Sequence, residues 1–72
     1  MRISDFWRLM DDEFGPAYSR TLASTLHLAE LKDRTPEDAL RAGIDPKTVW
    51  LSVCAMQEVP EHRRLGRDVK PR

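Results

Sequence analysis

Cysteine is almost missing: Cys54 stands alone in 72 residues, so no disulfide can form within the chain and the fold has to rest on apolar burial. Histidine is scarce too. His27 and His62 share no i, i+3 or i, i+4 face with each other or with Cys54, which excludes the ligand spacing of a structural zinc site. No window approaches the roughly 18 apolar residues that cross a bilayer. The opening Met1-Arg2-Ile3-Ser4-Asp5 lacks the apolar run of a secretion signal. The expected location is the cytoplasm, with no membrane partner. A net charge is also lacking, since 12 Lys+Arg balance 12 Asp+Glu, and this removes the global attraction for a polyanion. A chain this short hides only about 60% of the surface its unfolded form exposes. That is too little to surround a large cofactor, so neither a cofactor nor a self-sufficient enzyme is expected.

What the sequence does have is punctuation. Gly and Pro recur where neighbouring residues match helix starts and stops, and they divide the chain into four helical segments. The first is expected over 5–14, with Ser4 as N-cap, Asp5 complementing the helix dipole and Gly15 as the stop. Ile3, Phe6, Trp7, Met10 and Phe14 fall on one stripe along it. Pro16 suits the first position of the second helix, where its missing N–H loses nothing. That helix is expected over 16–31, with Tyr18, Leu22, Leu26 and Ala29 as its face. Thr35-Pro36-Glu37-Asp38 combines a hydroxyl cap, a proline and first-turn carboxylates, predicting a short third helix over 36–42 that Gly43 closes. Asp45-Pro46 repeats the cap-then-proline logic for a fourth helix over 46–57, with Val49, Trp50, Val53 and Met56 or Gln57 inward and Cys54 alongside.

After Pro60 the composition changes. Residues 61–72 hold Arg63, Arg64, Arg67, Lys70 and Arg72 against Glu61 and Asp68, a net of +3, so residues 1–60 carry −3. With only Leu65 and Val69 as aliphatic anchors, the segment is read as a flexible, disordered basic tail on a helical domain of residues 1–60.

The blocks Phe6-Trp7-x-x-Met10 with Asp12-Glu13-Phe14-Gly15, then Arg34-Thr35 and Ala39-Leu40-x-x-Gly43, then Asp45-Pro46-x-x-Val49-Trp50-x-x-x-Cys54, then Val59-Pro60-x-x-Arg63-Arg64 resemble a family of short actinobacterial proteins classed as a domain of unknown function. The resemblance spans residues 1–64. It implies one helical domain, no assigned activity, no catalytic residues to carry over, and genes often lying beside a recombinase and its regulator. The family usually has a Gly-Gly pair before the Arg-Thr element, where Lys32-Asp33 stand here.

Each chemically suggestive group has a plain structural reading. Ala39-x-x-x-Gly43-Ile44-x-x-x-x-Val49 has helix-turn-helix spacing, but Asp38 and Ser52 occupy positions where such motifs bury apolar residues. The outer side of the fourth helix shows Lys47, Thr48, Leu51, Ser52 and Ala55, a poor tool for a polyanion. The motif reads as a tight helical corner. Asp11-Asp12-Glu13 point in different directions on a helix and cannot converge on a metal; they read as a solvated face that is also able to attract the protein's own tail. Trp7 and Trp50 read as core, and Cys54 as a small buried hydrophobe.

The expectation is an all-α fold, a small compact bundle of about four helices with a flexible basic C-terminal tail, packed around Phe6, Trp7, Met10, Phe14, Leu22, Leu26, Leu40, Val49, Trp50 and Val53. The expected function is a non-enzymatic interaction module that binds a protein partner through a helical face or the C-terminal arm. Arg63, Arg64, Arg67, Lys70 and Arg72 are the candidate partner-binding residues, and no catalytic, metal or cofactor site is assigned. The alternative is an accessory nucleic-acid-binding protein using the helix-turn-helix-like corner and the tail, linked to DNA recombination or repair.

Overall fold

The computed structural model describes residues 1–64. Their backbone forms four α-helices, α1 (Ile3–Phe14), α2 (Pro16–Thr25), α3 (Pro36–Arg41) and α4 (Pro46–Met56), with 3-10 turns at Ala29–Leu31 and Glu61–Arg63. Consecutive helices pack on one another and α4 returns to α1, closing a ring of four around one core. There is no strand among the described residues, only an isolated antiparallel bridge between Leu28 and Arg34.

The caps foreseen for α3 and α4 are present. Thr35 Oγ1 accepts from the Asp38 amide at 3.2 Å and an Asp45 carboxylate oxygen from the Lys47 amide at 3.3 Å, satisfying amides that have no partner inside the helix. Gly43, at φ 90°, ends α3 in a left-handed turn. The Ile44 amide then donates back to Ala39 O at 3.0 Å and the Gly43 amide to Leu40 O at 3.1 Å, the pair of bonds expected of a Schellman stop. Glu58, at φ 56°, stops α4 in the same way, with the Val59 amide on Cys54 O at 2.9 Å. Gly15 joins α1 to α2 at φ 86°, ψ 147°. The extended ψ is what the following Pro16 demands, and with positive φ it is a combination that favours glycine.

Two helix ends differ from expectation. Ser4 is not the cap of α1: it lies inside the helix, whose N-cap is Arg2, and Asp5 reaches back to accept from the Arg2 amide at 3.0 Å. The second helix does not run to 31. It ends at Thr25, because Leu26 turns extended (ψ 123°) and the chain swings Leu28 into the core, where it is fully buried. Hydroxyls weaken the helix just before this point, Ser24 and Thr25 both donating to the Thr21 carbonyl. The loop that follows is closed by the Leu28 amide on Arg34 O at 2.8 Å, and His27 Nδ1 donates to Asp33 O at 2.8 Å. Within it Lys32 and Asp33, the residues standing in place of the expected Gly-Gly pair, both adopt left-handed conformations at φ 61° and 59°.

The core contains Phe6, Met10, Leu22, Val49, Trp50 and Val53 as expected, with Trp7, Phe14, Leu26 and Leu40 partly buried against it. It also takes Leu9, Ala23, Leu28, Ala39, Cys54 and Val59. Leu9 is buried because α1 lies between α2 and α4 and its buried face is wider than the stripe of largest residues, Leu9 lying on the side of Trp50 and Leu51; Ile3, at the start of the helix, stays exposed. Tyr18 stays half-exposed, while the small Ser19 beside it is fully buried and donates from Oγ to the Asp11 carboxylate.

Candidate functional site

Ordered structure continues past Pro60, where the composition turns basic. Residues 61–64 are not disordered: they form the last 3-10 turn and strap across the bundle. The Trp50 indole N–H donates to Arg64 O at 2.8 Å, Arg64 Nε donates to Val59 O at 2.9 Å, and the Arg63 guanidinium pairs at 2.9 Å with Glu13. The Glu13 side chain is only 14% exposed, so this pair is screened less than a surface one. Two of the five candidate partner-binding residues, Arg63 and Arg64, are thus engaged by the domain itself. Arg67, Lys70 and Arg72 lie outside the described residues.

Asp11-Asp12-Glu13 is not the freely solvated face that adjacency suggests. Asp11 takes Ser19 Oγ and faces Arg20 at 3.9 Å, Asp12 faces Arg8 at 3.9 Å, and Glu13 holds Arg63. One run of three carboxylates therefore faces α2, α1 itself and the C-terminal strap, so its attraction for the chain's own basic end is realised through Arg63. Arg20 also lies 4.0 Å over the Trp7 ring, covering an indole that core packing alone leaves partly open.

The helix-turn-helix-like corner places Ser52 inside, at 5% exposure, and Asp38 outside, where it pairs with Arg41 at 3.1 Å. Along α4 the outward side shows Lys47, Thr48, Leu51 and Ala55. Cys54 faces the opposite way and is fully buried. Burial pushes its thiol up to about 11, a rise that Arg64 opposes and Glu13 reinforces; a protonated thiol under the strap is a poor nucleophile. Among the described residues, no cluster of three His, Cys, Asp or Glu is placed to hold a metal ion, and no helix is long and apolar enough to cross a membrane.

What the fold creates, and the sequence did not reveal, is a groove of about 330 Å³ between the first turns of α1 and the outer side of α4. Met1, Leu9, Trp50 and Leu51 supply its apolar walls, and Asp5, Arg8, Lys47 and Arg64 its charges. Leu51 is a ridge, since its other flank borders a second hollow of about 470 Å³ toward Glu30 and Leu31. The strap fixes one end of the groove, because Arg64 both lines it and holds the Trp50 indole. Exposed Leu51 on α4 was visible in the sequence; its meeting with Met1 ahead of α1, Arg8 from α1 and Arg64 from the strap depends on the return of α4 to α1.

A family model described as a protein of unknown function, DUF3046, matches residues 1–62. No curated protein and no solved structure matches the chain.

Proposed function

Because the chain belongs to the family DUF3046, whose function is unknown, its role has to be read from its own surface, and we propose that it is a non-enzymatic, cytoplasmic interaction module that docks on a protein partner through the face formed by α1 and α4. The groove carries this reading. Met1, just ahead of α1, and Leu51 on α4 are 48% and 40% exposed and line the same groove, so these exposed apolar side chains are gathered rather than scattered. The strap holds the buried Trp50 rigid beneath them as the floor of the groove, and a preorganised floor lowers the entropy cost of docking.

The alternative, an accessory nucleic-acid-binding protein tied to recombination, has less behind it. The only cation of α4 is Lys47, with Asp45 capping the same end, and affinity for a polyanion follows the number of phosphates neutralised.

A photo-crosslinking residue at Leu51, compared with one at Glu37 on the exposed side of α3, tests the docking face in cells expressing the protein at its natural level. The expected result is a discrete protein adduct from Leu51 and none from Glu37. Absence of any adduct at Leu51 would overturn the reading.

A further inference from the structure

Resting on that docking reading, we infer that the α1–α4 groove takes a short acidic amphipathic helix of the partner, one or two large apolar side chains entering over Trp50 and Leu51 while its carboxylates meet Arg8, Lys47 and Arg64. The charge distribution points there. Residues 1–64 carry nine Lys and Arg against eleven Asp and Glu. The groove holds three of those cations with a single carboxylate, Asp5, which leaves six against ten elsewhere. A +2 patch thus sits on a body of −4, and electrostatic complementarity of this kind selects partner and register.

The three cations are available to a partner. Lys47 makes no ion pair among the described residues, Arg8 faces Asp12 at a loose 3.9 Å with about half of its side chain exposed, and Arg64 commits Nε to Val59 O while the rest of its guanidinium remains as donor. A volume of about 330 Å³ is at the small end of ligand pockets, room for a few side chains. The walls are two helices, not an open strand edge, which suits a helix laid in a groove with anchors at i and i+3 or i+4.

A nucleic acid fits less well. Its continuous phosphate track would pass Asp5 and run from the patch onto the negative body within about one Debye length, and it has no use for the Met1 and Leu51 edge.

The experiment is selection of a displayed library of random 16-residue peptides on the whole protein and, in parallel, on Arg8→Glu/Lys47→Glu. Both sites are exposed, and Lys47→Glu alone, which puts a carboxylate in the first turn of α4 where the helix dipole favours it, is the second variant, its fold checked by circular dichroism. The expected result is enrichment of Glu- and Asp-rich sequences with paired apolar residues, binding at least tenfold weaker to the double variant, affinity falling with added salt, and shifted Trp50 indole and Leu51 methyl resonances. Enrichment of basic or uncharged sequences, equal binding to the variants, or no enrichment would overturn the inference. So would full displacement of the selected peptides by a 12-nucleotide single strand. An adduct at Leu51 with neutral selected sequences leaves the docking reading standing and removes only the acidic partner; no adduct and no enrichment removes both.

Discussion

Replacing Lys32 by Gly is expected to stabilise this protein, against the usual effect of adding glycine. Lys32 and Asp33 hold φ at 61° and 59°, and an L side chain in the left-handed region costs roughly 1–2 kcal/mol through its Cβ. Their contribution to the fold is made by backbone: the Asp33 amide donates to Leu28 O at 3.0 Å and its carbonyl takes His27 Nδ1, and both side chains point outward. Glycine keeps these bonds and removes the clash. Against this stands the larger freedom of an unfolded glycine, about 0.4–1 kcal/mol. The net for Lys32 is about 0.5–1 kcal/mol. Asp33 gains less, since Asp visits this region more readily, so the double variant gains about 1 kcal/mol, or roughly 4–8 °C in Tm for a domain of this size. Thermal unfolding followed by far-UV circular dichroism and a urea midpoint measure it, with Lys32→Ala as the control that keeps a Cβ and should stay near the parent. A Lys32→Gly variant melting at or below the parent temperature would refute the reasoning.

Gly15→Ala should cost about 2 kcal/mol in the same urea titration. No atom lies within 4 Å of the added Cβ, so the loss is torsional, and a change below about 0.5 kcal/mol would show that the α1–α2 junction relaxes freely. Cutting the chain after Pro60 should remove the Trp50–Arg64 bond and the Arg63–Glu13 pair, leave a buried indole N–H without a partner at about 1–3 kcal/mol, and red-shift tryptophan emission; cutting after Arg64 should do neither. Alkaline stability should report Cys54. Its thiol is raised from 9.0 to about 11 in the fold, so the folded state keeps a proton that the unfolded chain has already lost, and stability should fall as pH rises between those values, by on the order of 2 kcal/mol. Denaturation midpoints of Cys54→Ala measured across the same pH range should lack that component of the loss.

The helix starts and stops belong to the sequence. Thr35-Pro36, Asp45-Pro46, Pro16 and Gly43 act within about four residues of themselves, through amides and torsions that need no distant partner, and three of the four helices lie within about two residues of where these signals place them. The same locality explains the one large error. At Leu26 a continued helix and an extended turn are both open to the local chain, and what decides is the full burial of Leu28, a contact that exists only once the other helices are in place. The site follows the same division. Cys54 as buried thiol and Lys47 as the lone cation of α4 were legible residue by residue. The groove was not, because Arg8 from α1, Lys47 from α4 and Arg64 from the strap lie far apart along the chain, and the Trp50–Arg64 hydrogen bond spans 14 residues. Electrostatics and burial depend on distance through space, so the sign and place of the groove's charge were set by the return of α4 onto α1, while the starts of α3 and α4 were set by capping and torsional preference.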